Sequence, residues 1–256
     1  MAKTSLRPRD KTFGRTVTDP SQGQEVRNLI LLGLPVEQRE AVLKKCEFVQ
    51  LPARFVLNEM GGVIEYSYFI NDGLVSILTI MSNQKSVEVG LTGREGFVGL
   101  PLAVGFNTSP TRAVTQVTGA AFRVLPSDIE GLLRTSPELG KSLQRYAQEL
   151  ALQASQLAAC NRLHEVEERL ARWLLMSQDR VGASSFELTQ ESLASMLGTR
   201  RASVTIAAGI LQKAGLINYK RGQVKIEKRA QLEDAACECY ALLNQQLERW
   251  HNDNHR

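Results

Sequence analysis

The chain has 256 residues, 43% of them hydrophobic and 23% charged, with a formal charge of +4. That is enough chain for one large or two modest cores, and the proportions exclude a disordered or fibrous protein. The apolar run Leu29–Leu32, broken by Gly33, is far too short to span a bilayer, and the polar, basic residues before it lack the apolar stretch of a secretory signal, so a cytoplasmic protein is expected. Charge is unevenly placed. Residues 189–229 carry eight Lys/Arg against Glu191 and Glu227, a net +6, and residues 1–15 carry five against Asp10, a net +4. A local positive field of this kind marks a surface for polyanions.

Residues 1–24 are polar and contain Pro8, Gly14, Pro20 and Gly23, which predicts a disordered basic tail. Pro35 followed by Val36–Leu43 predicts a short first helix. Within residues 25–126 short runs of β-branched and aromatic residues alternate with turn residues. Tyr66, Tyr68 and Ile70 precede Asn71-Asp72-Gly73, and Val75, Ile77 and Thr79 follow it, which reads as a hairpin. Further strands are expected over Ser86–Leu91, Arg112–Val117 and Ala120–Leu125. Together they predict an antiparallel, jelly-roll-like double-sheet roll.

Residues 127–162 read as helices. Ser127-Asp128-Ile129-Glu130 has the form of a capping box, and Ser136-Pro137-Glu138 supplies a cap, a proline at the first helical position and an early acid. The second helix is expected to run from Pro137 to about Asn161. One stripe holds Leu139, Leu143, Tyr146, Leu150, Gln153 and Leu157, and beside it lies Ala147, Ala151, Ala154 and Ala158. So wide an apolar face favours a dimerisation helix over one buried in its own subunit. The helical phase changes at Asn161–His164, a predicted hinge.

Residues 163–229 carry a helix with Val166, Leu170, Trp173, Leu174 and Leu175, then a helix-turn-helix. Leu193, Met196 and Leu197 form one apolar face, Gly198 stops it, and Val204, Ala207, Ala208 and Leu211 form the next. The second helix opens with Arg200 and Arg201 and shows Ser203 and Thr205 away from its apolar positions, the chemistry needed to meet phosphates and base edges. Leu216–Tyr219 and Gln223–Ile226 flank Lys220-Arg221-Gly222, a β-wing with a basic tip. Residues 230–256 predict a C-terminal helix with Leu232, Ala236, Leu243 and Leu247 on one face.

The four cysteines are read as small hydrophobes. Cys237 and Cys239 are two apart, which on a helix turns them to nearly opposite sides, and His164 is remote in sequence. No metal site and no cofactor are therefore predicted. No Ser/His/Asp or Cys/His constellation at credible spacing points to an enzyme.

A β-roll, a long helix and a winged helix-turn-helix follow one another in the Crp/Fnr family of bacterial transcription regulators, which the chain resembles over residues 29–228. The resemblance rests on Gly73, Gly96-Phe97-Val98-Gly99 with Arg112-Ala113, and Thr189 through Gly198 with Arg201, Val204, Leu211 and Leu216-Ile217. It implies an α+β protein: a sequence-specific regulator binding double-stranded DNA as a homodimer on a pseudo-palindromic site, with RNA polymerase as a further partner. The segment holding Gly99 and Arg112 is where cyclic-nucleotide-binding members cradle phosphate. The glutamate that takes the ribose hydroxyl is replaced here by Leu100, so an unidentified small-molecule effector is expected and not cyclic AMP. On the reading helix Arg201 matches the family's first arginine, but Ala202 and Ile206 replace a glutamate and a second arginine. Arg201 is assigned to a guanine, with Ser203 and Thr205 as lesser base readers, and Thr189, Arg200, Lys220 and Arg221 to phosphates. The rival reading is a ligand-binding signalling module whose C-terminal domain binds protein.

Overall fold

A computed structural model describes residues 17–19 and 23–253, with side chains through Trp250. Most of the expected basic tail thus lies outside the described residues. Within it, however, β1 (Val17–Thr18) pairs antiparallel with β2 (Glu25–Val26), which corrects the expectation of disorder there. Two short helices follow, α1 (Leu29–Gly33) and α2 (Val36–Leu43), the first capped by the side chain of Asn28.

The N-terminal half is then built from β3 (Cys46–Leu51), β4 (Val56–Asn58), β5 (Ser67–Ile80), β6 (Ser86–Thr92), β7 (Phe97–Val98) and β8 (Arg112–Val124), in the antiparallel order β3-β8-β5-β6 with β4 on β8 and β7 on β5. Alternation along β5 and β8 sends Phe69 and Phe122 into one apolar cluster and Tyr68, Ile70 and Ala121 into another. β5 is buried on both faces over most of its length, and β8 over Ala120–Phe122.

Asn71-Asp72-Gly73 is not a hairpin turn. β5 runs straight through it, paired with β8 from Ser67↔Val124 to Leu78↔Arg112, and the register shifts between Ile70 and Val75 make it a bulge. Gly73 has φ +85°, and a Cβ there would lie 2.6 Å from the Val117 carbonyl oxygen and 2.9 Å from Gly119 Cα. The left-handed backbone therefore accommodates a close approach to β8 instead of reversing the chain. The Asn71 side chain accepts from the Arg27 amide at 2.7 Å, tying the bulge to the segment before α1.

Helix α3 (Pro126–Thr135) starts one residue before the expected box, with Leu125 at the cap position and no side-chain cap, so Ser127 does not cap it. Proline at the first position, where no amide is needed, sets this start. Helix α4 (Pro137–Leu163) begins at Ser136 as expected, although the serine hydroxyl makes no capping bond. Its stripe of Leu139, Leu143, Tyr146, Gln153 and Leu157 is buried within its own chain; Tyr146 hydrogen-bonds Thr92 at 2.7 Å and Gln153 accepts from the Leu91 amide. The alanine stripe is the uncovered one, with Ala151 and Ala158 exposed.

After His164 come α5 (Val166–Val181), β9 (Ser185–Glu187), α6 (Gln190–Met196), α7 (Arg201–Lys213), β10 (Ile217–Lys220) and β11 (Gln223–Ile226), the last two forming a three-stranded sheet with β9. A reciprocal capping box of Glu165 and Glu168 starts α5. The expected single C-terminal helix is two, α8 (Arg229–Ala235) and α9 (Cys239–Asp253), because Ala236 takes an extended backbone. Leu74 and Leu91 of the N-terminal sheet join the core of Leu170, Trp173, Leu174, Leu193 and Leu197, so the two halves share packing.

Candidate nucleic-acid interface

Helices α6 and α7 are set by local signals. Thr189 caps α6, its hydroxyl oxygen accepting from the Ser192 amide at 3.1 Å, and Gly198 at φ +58° turns the chain into α7. Leu193, Met196, Leu197, Val204, Ala207, Ala208 and Leu211 are all buried, the two apolar faces expected from spacing. Burying that face of α7 turns Arg201, Ala202, Thr205, Ile206, Gly209 and Ile210 outward. Arg200 is the N-cap residue and is exposed beside Arg201.

The wing is held to this helix by Tyr219, whose amide donates to Gln212 Oε1 at 2.7 Å and whose hydroxyl donates to the Leu188 carbonyl at 2.8 Å. Arg221 at φ +54° and Gly222 at φ +78° make the tight turn at its tip, and Lys220 and Arg221 are exposed there. Among the described residues Arg200, Arg201, Lys220 and Arg221 form no ion pair with a carboxylate, so their charge is presented to solvent. Not all of the local +6 is available. Arg229 binds Asp179 at 2.7 Å and Glu233 at 2.9 Å, and Lys225 binds Glu227 at 3.0 Å.

The other assigned side chains are partly committed elsewhere. Ser203 is half-buried, and the Thr205 hydroxyl donates within the motif, to Gln190 Oε1 and the Arg201 carbonyl, each at 3.0 Å. Ile206 is 66% exposed. An isoleucine held out to solvent on α7 offers the apolar contact that suits a thymine methyl, and the sequence reading did not include it among the site residues.

Gly99 and Arg112 are differently placed. Gly99, at φ +111°, packs against Ser67 at the start of β5, whereas Arg112 is in register with Leu78 near its end. Arg112 pairs with Glu59 at 3.4 Å. Neither residue lines the cleft of about 510 Å³ bounded by Phe55, Glu59, Tyr66, Tyr68 and Arg123. Leu100 and Leu102 pack onto the Phe69 and Phe97 cluster.

Two contacts between distant segments were not legible beforehand. Glu88 on β6 is buried and accepts from Ser76 Oγ at 2.5 Å and from the Trp173 indole of α5 at 2.9 Å. Burial pushes its carboxyl up to about 7, against the two hydrogen bonds and the nearby Arg172 and Arg180. The other contact corrects the reading of the cysteines: the fold brings His164 to Cys160, Cys237 and Cys239, because the chain breaks between α8 and α9 at the point where a continuous helix was expected. The one sequence signal was the four-residue spacing of Cys160 and His164 on a helix.

Residues 168–235 match the family model of the Crp-like helix-turn-helix domain. No curated protein sequence matches the chain. Among solved structures, FixK2 of Bradyrhizobium japonicum is 16% identical with a TM-score of 0.64, over 75% of this chain and 98% of that one. The c-di-GMP responsive global regulator CLP of Xanthomonas campestris is 19% identical with a TM-score of 0.63, over 75% and 99%. A Crp/Fnr-family transcriptional regulator of Thermus thermophilus is 19% identical with a TM-score of 0.61, over 74% and 98%. The chain thus has the α+β fold of the Crp/Fnr transcription regulators, and residues 168–235 resemble the Crp-like helix-turn-helix domain. No helix among the described residues is long and apolar enough to cross a membrane.

Proposed function

We propose that this protein is a cytoplasmic, homodimeric, sequence-specific regulator of transcription and not an enzyme. The single observation that carries the reading is the uncompensated cationic surface formed by Arg200, Arg201, Lys220 and Arg221 at the start of α7 and the wing tip, on a Crp-like helix-turn-helix. Helix α7 enters the major groove with Arg201 on a guanine and Ile206 on a thymine methyl; Thr189, Arg200, Lys220 and Arg221 meet phosphates, and Ser203 and Thr205 are secondary. Residues 163–229 are the reader, residues 25–126 the sensor, and α4 the link between them. The stripe of exposed Ala151 and Ala158 with half-buried Ala147 and Ala154 is the seam for a second copy, since alanine lets helices approach closely. Two readers so joined would meet half-sites about 34 Å apart on a pseudo-palindrome, with RNA polymerase as the downstream partner.

An anionic effector of the roll would meet Gly99 or Arg112 and not both, because they lie beside opposite ends of β5 and Arg112 is paired with Glu59. Cyclic AMP is disfavoured, because Leu100 packs half-buried against the Phe69 and Phe97 cluster and offers no acceptor for a ribose hydroxyl.

The test is binding to genomic fragments selected by the protein, compared with random DNA across a salt series. Arg201→Ala should weaken selected sites by about 1–3 kcal/mol and random DNA far less. Equal losses on both would overturn base reading by Arg201. A binding curve indifferent to salt would favour a protein partner over DNA.

A further inference from the structure

Cys160 and His164 stand one turn apart at the end of α4, Cys237 lies in the break before α9, and Cys239 opens α9. Their ligating atoms all lie within 4.8 Å of one another, with Cys160 Sγ 3.5 Å from Cys237 Sγ and Cys239 Sγ 3.5 Å from His164 Nδ1. A tetrahedral zinc ion, with bonds of about 2.3 Å to sulfur and about 2.0 Å to nitrogen, requires ligand separations of about 3.5–3.8 Å. The three cysteines are buried and none is in a disulfide. Three sulfurs and one imidazole nitrogen, drawn from segments over seventy residues apart in sequence, therefore already approximate the donor set of a closed tetrahedral site.

The surrounding charge argues for the same conclusion independently. Arg169 and Arg172 are 6% and 2% exposed, and in each the Nε is buried with no hydrogen-bond partner among the described residues. Among the described residues Arg169 donates to neutral oxygens, Asn161 Oδ1 and the Leu197 carbonyl, and Arg172 reaches the Met176 sulfur. Glu88 is the carboxylate on which Arg172 acts. With neutral thiols, Arg169 has no carboxylate acting on it among the described residues and Arg172 has Glu88, whose carboxyl burial pushes toward its neutral form, and a buried charge left without a counter-charge is strongly unfavourable. A divalent ion with three thiolates and a neutral imidazole carries one negative charge, which gives these arginines a counter-charge at the cluster. The Gln156 amide, donating to Cys239 Sγ at 3.2 Å, is placed as the outer hydrogen bond that holds a ligating sulfur.

We infer that Cys160, His164, Cys237 and Cys239 form a Cys3His site for a thiophilic divalent transition-metal ion of the zinc class. On binding, the three thiols release their protons to solvent, the imidazole stays neutral and the ion keeps its charge, so no oxidant or reductant is involved. All four tetrahedral positions are filled by protein, which defines a structural site and not a catalytic one. The ion would fasten the end of α4 to the α8–α9 break, across the hinge that leads into α5. Metal loading would then set how the reading domain sits on the long helix; that consequence rests on the DNA reading above, while the site itself does not.

The test uses the full chain, reduced, stripped by chelator and titrated with Co²⁺ without oxygen. The expected result is one ion per chain with the intense visible bands of tetrahedral thiolate cobalt, loss of those bands on adding Zn²⁺, and proton release on binding. Cys160→Ser and Cys239→Ser should abolish the bands, while Cys46→Ser, a buried cysteine of β3, should keep them. If the serine variants do not fold by circular dichroism, His164→Asn, at a half-buried position, supplies the second variant and should shift the bands and weaken binding at least tenfold. The weak bands of octahedral cobalt, an uptake unchanged by these substitutions, or no uptake by folded reduced protein would overturn the site. Failure of both loaded and stripped protein to bind DNA, with tetrahedral cobalt bands intact, would instead overturn the DNA reading alone.

Discussion

Glu88 offers the sharpest test of how the two halves are held together. Its carboxyl sits between Ser76 of β5 and Trp173 of α5, with Arg172 and Arg180 as the charges acting on it, and burial raises it from 4.5 to about 7. A carboxyl raised in the folded state binds its proton more tightly there than in the unfolded chain. Its contribution is therefore full below about pH 4.5 and is lost as pH rises through about 7. A displacement of this size corresponds to about 3 kcal/mol, lost at up to about 1.4 kcal/mol per pH unit. Glu88→Gln keeps an acceptor for the indole and can donate to Ser76, but it cannot ionise. The two proteins should have similar stability near pH 5, and the variant should be the more stable by about 2–3 kcal/mol at pH 8. Urea unfolding followed by fluorescence in a Trp250→Phe background, which leaves Trp173 as the single tryptophan, reads the difference at each pH. A difference between the two proteins that does not change with pH would refute the reasoning.

Three further substitutions probe the rest of the molecule. Gly73→Ala puts a Cβ 2.6 Å from the Val117 carbonyl oxygen at φ +85° and should destabilise the roll by at least about 2 kcal/mol in thermal melts; an unchanged midpoint would contradict the bulge. Ala151→Arg, at an exposed position of α4, should leave circular dichroism unchanged and shift sedimentation from dimer to monomer. Ile206→Ala should weaken selected DNA by about 1 kcal/mol through lost apolar contact, with no change in salt dependence. A changed salt slope would mean that Ile206 acts by positioning the phosphate-binding groups.

What could be read from the chain alone was whatever depends on neighbours in sequence. The helix-turn-helix was legible because the buried faces of α6 and α7 repeat every three to four residues, the stop at Gly198 is local, and the exposed Arg200 and Arg201 sit within a few residues of it. The wing was legible for the same reason, since Lys220-Arg221-Gly222 specifies a tight turn without help from elsewhere. Asn71-Asp72-Gly73 misled because the same dipeptide chemistry serves a turn or a bulge, and the choice was made by the distant partners Val117 and Gly119 on β8. The leucine stripe of α4 was read from sequence as part of a seam for a second copy, but its packing against Leu91 and Thr92 of the chain's own β6 turns it inward. Which charges remain free was likewise tertiary, for Arg229 is consumed by Asp179 while Arg201 is not. The cysteines show the limit most clearly. Sequence alone led to reading the cysteines as small hydrophobes and His164 as remote from them, because their meeting depends on a helix break at Ala236 and on the return of α9 along α4, and long-range packing alone decides both.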